Sequence, residues 1–172
     1  MKITAALIAS RDPVVGQSEA FRRVFGDGPA RITDEIALDH AETFHWSFLA
    51  EEFLSDDGAA QYYETAENEW ETYQKRISFA EKEFYTETKE DVAQFLWRVE
   101  MLWRKHISKY VKDSDARYAK YEKDVASLDI AHNKNMKPAR VKADRAKRTA
   151  YIEYQRALAR AFAEIYSKEN PE

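Results

Sequence analysis

Apolar side chains return every third or fourth position over most of this 172-residue chain, the period of helices that bury one face. Tyr63, Ala66, Trp70, Tyr73, Ile77, Ala80 and Phe84 keep a strict 3-4 alternation, as in a knobs-into-holes seam, and predict a helix over 59–87. Val92, Phe95, Leu96, Val99, Leu102, Trp103, His106 and Tyr110 form a broader stripe over 88–112, with Thr88 and Asp91 placed as in a capping box. Tyr118, Tyr121, Val125, Leu128 and His132 carry the pattern over 116–132. Tyr151, Tyr154, Leu158, Ala161 and Ile165 carry it through the second half of a last helix, 138–168, which Pro138 suits as a first-turn residue. The first half of that helix has almost no apolar face.

Nearer the N-terminus, Thr33 followed by Asp34 and Glu35 predicts a capped helix over 33–54, with Ala37, Ala41, Phe44, Phe48 and Leu49 on one side. Ser55, Asp56, Asp57 and Gly58 end it and cap the next. Residues 1–32 read as an irregular segment. Ile3 to Ile8 suit a short strand or an apolar plug, Ser18 opens a short helix closed by Gly26, and Gly26 to Pro29 form a turn.

The expected fold is all-α: an elongated antiparallel bundle of about five long helices with coiled-coil-like packing. It forms a single domain whose bundle spans 33–168. Composition agrees, since the chain has four Gly and four Pro and neither occurs between Gly58 and Pro138. Helix ends at 86–88 and 113–115 would then be set by side chains alone. A helix running through either point would mean fewer, longer helices.

Cysteine is absent, which excludes disulfides, thiolate catalysis and cysteine-ligated metal sites. The apolar stretch near Ile3 to Ala9 stops at Arg11, too short for a signal-peptide core, and no stretch reaches membrane-anchor length, so a cytoplasmic protein is expected. The net charge of −4 is unevenly placed: residues 1–112 hold 14 Lys/Arg against 21 Asp/Glu, and residues 113–172 hold 13 against 10. That asymmetry suits docking on an acidic partner, and equally an internal exchange of surface ion pairs.

Three constellations could carry chemistry. Glu42 and His45, and Asp129 and His132, have the acid-x-x-His spacing of ferritin-like bundles, and with Glu52 and His106 they are the candidate metal ligands. Such spacings also arise by chance among 31 acids, and no cofactor is expected. The segment 134–148 gathers Lys134, Lys137, Arg140, Lys142, Arg145, Lys147 and Arg148 against one acid, Asp144, and could bind nucleic acid or an acidic protein. Its cations spread around the helix, as on a solvated extension. Four Trp, ten Tyr and nine Phe exceed what the seams use: Trp46, Phe79, Tyr85 and Trp97 fall off them, either in a second core layer or on a contact surface.

No glycine-rich phosphate loop or Gly-x-Ser-x-Gly elbow is present. The composition suits a non-enzymatic helical factor of the accessory or regulatory kind found in bacteria and phages. It would bind another protein, or a second copy of itself as a homo-oligomer, through Trp97, Arg98, Trp103 and Arg104.

Overall fold

The computed structural model describes residues 2–11, 16–106 and 114–171, and its fold is an all-α helical bundle. Among the described residues six helices follow in order: α1 Ala5–Arg11, α2 Gln17–Phe25, α3 Asp34–Asp39, α4 Trp46–Phe53, α5 Asp56–His106 and α6 Ser114–Glu169. Two of them are long, where about five were expected, because helices continue through several expected breaks. The chain divides into two compact units: unit 1 comprises Met1–Arg76 and Arg148–Glu172, and unit 2 comprises Ile77–Lys147.

Unit 1 holds the large core. Phe21, Phe44, Trp46, Phe48, Leu49 and Phe53 from the short helices and their connections pack with Tyr62 of α5 and with Leu158, Phe162, Ile165 and Tyr166 of α6. The apolar start of the chain belongs to it: Ile3 is buried, and its carbonyl accepts the Ala30 N–H at 2.8 Å in an isolated bridge. Gly26 closes α2 with φ +74°, a backbone conformation that suits glycine.

The helix expected over 33–54 is two helices. Thr33 caps α3 as its sequence predicts, Oγ1 accepting the Ile36 N–H, but α3 ends at Asp39 and α4 starts at Trp46. The cause lies in Phe44 and Trp46. Two positions apart on one helix they would point about 200° apart, yet both belong in the core. Breaking the helix buries both, with their rings edge to face at 5.5 Å, while the Trp46 indole N–H donates to the Ala41 carbonyl at 2.8 Å. His45 then caps α4, its Nδ1 accepting the Phe48 N–H at 3.2 Å.

At the start of α5 the expected cap is present. The Ser55 Oγ accepts the Gly58 N–H at 3.1 Å. Glu169, the last residue of α6, receives the Ser55 hydroxyl and, at 2.9 Å, the Ser55 N–H, so an acid neutralises the positive end of α5. Gly58 is a buried residue of the first turn. A Cβ there would meet the Glu169 carboxylate and the Ile165 side chain. The core face of α5 begins at Tyr62, one residue before the expected Tyr63, which is exposed.

Unit 2 is an antiparallel pair formed by 77–106 of α5 and 114–147 of α6. Ala80, Phe84 and Glu87 lie beside Ala139, Lys142, Ala143 and Ala146, Phe95 stacks on His132 at 4.4 Å, and Trp103 meets Tyr121 edge to face at 5.6 Å. The break expected at Thr88 is absent. Its hydroxyl donates to the Phe84 carbonyl at 2.7 Å, one turn back, so it serves the helix interior rather than a new start. Nor does a helix begin at Pro138, which lies inside α6. Without an N–H it withdraws one bond from the Lys134 carbonyl, and that carbonyl is on the exposed side. The break expected at 113–115 falls partly outside the described residues; α6 is described from Ser114.

Two stability measurements test this account. Gly58→Ala in a helix interior ordinarily stabilises by about 0.5–1 kcal/mol. Here thermal melting is expected to show destabilisation of about 1 kcal/mol, as Glu169 is pushed off Ser55, and stabilisation when the same change is made in a Glu169→Ala background. The second concerns Tyr62, whose buried hydroxyl pairs with the Ser47 Oγ at 3.3 Å and whose pKa burial drives above its ordinary value. The unfolded chain then loses this proton first, so stability falls as pH rises past about 10. Between pH 8 and 11 the wild type is expected to lose about 1 kcal/mol relative to Tyr62→Phe in denaturant titrations.

Candidate interaction surfaces

The outer side of α5 in unit 2 gathers large apolar groups that no part of the unit covers. Trp97 is 61 % exposed, Leu96 59 % and Met101 46 %; Met101 lies one turn after Trp97, and Leu96 about 100° around the helix from it. Trp103 is 46 % exposed on the flank, one edge against Tyr121. Trp46 is core, whereas Phe79 and Tyr85, like Trp97, are exposed. The four expected contact residues therefore divide. Trp97 and Arg104 share the outer face, where Arg104 pairs with Glu100 at 2.5 Å. Arg98 lies toward α6, lining a shallow hollow with Asp91, Phe95 and His132. Leu96 and Met101 join the surface, although the period of the inner seam gives no reason to pick out Met101.

The basic segment divides too, and the antiparallel register explains how. Lys142 reaches Glu87, and Glu83 at 3.8 Å; Lys147 reaches Glu81 at 2.7 Å. The hydrogen bond to Glu87 raises the Lys142 pKa. Arg148, in unit 1, pairs with Glu42 at 2.7 Å and lies over the Tyr151 ring. Three of the seven cations of 134–148 thus find their acids within the chain. Lys134, Lys137, Arg140 and Arg145 are exposed, with no ion-pair partner among the described residues.

The candidate metal ligands each serve a local contact. Glu42 pairs with Arg148, Glu52 with Arg11 at 3.1 Å, His45 caps α4, His106 shares a 3.2 Å hydrogen bond with Asp124, and His132 stacks on Phe95. Asp129 is exposed. Among the described residues no three His, Asp or Glu come together to hold a metal ion, and no helix is long and apolar enough to cross a membrane. No protein-family model, no curated protein and no solved structure matches the chain.

The two faces of α5 respond differently to truncation. Phe95→Ala removes a half-buried ring stacked on His132 and is expected to cost about 2 kcal/mol in urea unfolding. Trp97→Ala, measured in dilute protein, is expected to stay within about 0.5 kcal/mol of wild type.

Proposed function

We propose that this is a non-enzymatic cytoplasmic protein, an accessory or regulatory factor of the bacterial or phage kind, that works by binding another protein, with a second copy of itself as the partner. The observation that carries this reading is the exposure of Trp97 and Met101 one turn apart on the outer face of α5, with Leu96 and Trp103 exposed together on one flank. Water-facing indole and aliphatic groups on neighbouring turns are costly to leave uncovered and typical of contact centres.

The charges around the patch favour a second copy. Glu90 lies seven residues before Trp97 and Arg104 seven after it, two helical turns either way, so both project on the same side as the indole. Two such helices crossing antiparallel at Trp97 place Glu90 of each opposite Arg104 of the other. A two-fold contact requires such self-complementarity.

Light scattering over a range of concentrations tests the reading. The wild type is expected to rise from the 20.1 kDa of one chain toward twice that mass. Trp97→Ala should stay at one chain, Glu90→Lys should weaken association, and Glu90→Lys combined with Arg104→Glu should restore it. A wild-type mass that stays at one chain throughout contradicts the reading.

A further inference from the structure

The outer face of α6 in unit 2 is a second, independent surface, and its signal is charge. Lys120, Lys123, Lys134, Lys137 and Arg145 fall within an arc of about 100° when α6 is viewed down its axis. All five are exposed, and none has an ion-pair partner among the described residues. Asp144 borders the arc on one side and Asp124, which turns to His106, on the other, while Glu122 and Asp129 lie farther round the helix. Lys142 and Lys147, which turn toward α5, are neutralised there by Glu81, Glu83 and Glu87. The antiparallel register turns Lys142 and Lys147 inward to paired acids and leaves an external row unpaired, with Arg140 exposed beside the row's arc.

From this we infer that the row Lys120, Lys123, Lys134, Lys137 and Arg145 binds the phosphate backbone of a nucleic-acid duplex, without regard to sequence. Its length is about 38 Å at 1.5 Å per residue, close to one turn of B-form DNA. The pairs Lys120/Lys123 and Lys134/Lys137 repeat about 21 Å apart, a separation that flexible lysines bring onto the two phosphate rows bordering a major groove about 12 Å wide. Ala126, Ser127 and Ile130 lie between the pairs, small or apolar groups that carry no charge against the backbone.

Two features choose the duplex over other polyanions. No Phe, Tyr or Trp occurs from Glu122 to Ala150, so the face lacks the stacking platforms that hold single strands. A row of one sign over such a length fits a regular phosphate repeat better than the scattered carboxylates of an acidic protein. The net charge of −4 does not oppose this, because the charge is segregated: unit 2 holds 16 Lys/Arg against 12 Asp/Glu, and unit 1 holds 11 against 19. Charges beyond about 8–10 Å are largely screened at physiological salt, so the local row decides.

Fluorescence anisotropy with a labelled mixed-sequence DNA duplex of about 20 base pairs, two helical turns, tests the inference at low and at physiological salt. The wild type is expected to bind at low salt and to weaken steeply as salt rises. Reversing Lys123, Lys134, Lys137 and Arg145 to Glu should lower affinity at least about tenfold and flatten the salt dependence by about 3 to 4 in log–log slope. The same four changed to Gln, with helicity checked by circular dichroism, should weaken binding less but in the same direction. Lys82→Glu, an exposed lysine of α5, should leave it unchanged. Failure of the wild type to bind at low salt, equal binding after the fourfold reversal, or tighter binding to single-stranded DNA or to polyglutamate would each overturn the inference.

Discussion

Unit 1 depends on Trp46. Its indole N–H is satisfied by the Ala41 carbonyl, and its ring lies against Phe44 on one side and, at 5.6 Å, Phe162 of α6 on another. A group this large and polar at one edge is buried well only when that edge finds an acceptor. The acceptor here is a carbonyl taken out of helical service, so burial of Trp46 and the break between α3 and α4 are one event. Through Phe162 the same ring fixes the short helices to the last turns of α6. There Tyr166 stacks on Phe162 and Glu169 holds the start of α5.

Unit 2 is built on a different principle. Its seam is thin, with Ala80, Thr88, His106 and Met136 its only buried residues among those described, so ion pairs and stacking line the edges of the contact. Exposed ion pairs contribute little each, yet Lys142 and Lys147 against Glu81, Glu83 and Glu87 disfavour other registers, in which like charges would meet. A thin seam also leaves the outer faces of both helices to solvent. On α5 that face sets Trp97 and Met101 among charges of both signs, and on α6 it is cationic.

Much of this was legible in the residues. The Thr33 and Ser55 caps, the closure of α2 at Gly26 and the stripe through Ile77, Ala80 and Phe84 follow from local chemistry and period. The split of 33–54 was not legible, because it is decided by a ring contact to residue 162. Thr88 was ambiguous, since one hydroxyl can cap a new helix or bond back one turn, and only the uninterrupted packing around it selects the second. Ala139, Ala143, Ala146 and Ala150 are spaced 4-3-4, but alanine suits core and surface alike, and the face looked empty. For the contact surfaces, the excess of Trp and Lys was visible, whereas which members point outward required the register of the two helices.

Unit 2 is proposed to act as a scaffold through its outer faces rather than through a cavity, with the face around Trp97 covered by a second copy. Hydroxyl-radical footprinting at increasing protein concentration addresses it residue by residue. Labelling of Leu96, Trp97 and Met101 is expected to fall together as concentration rises, while Ile130 on the outer side of α6 keeps its labelling. Labelling of Trp97 and Met101 that stays at its dilute level throughout would contradict the account.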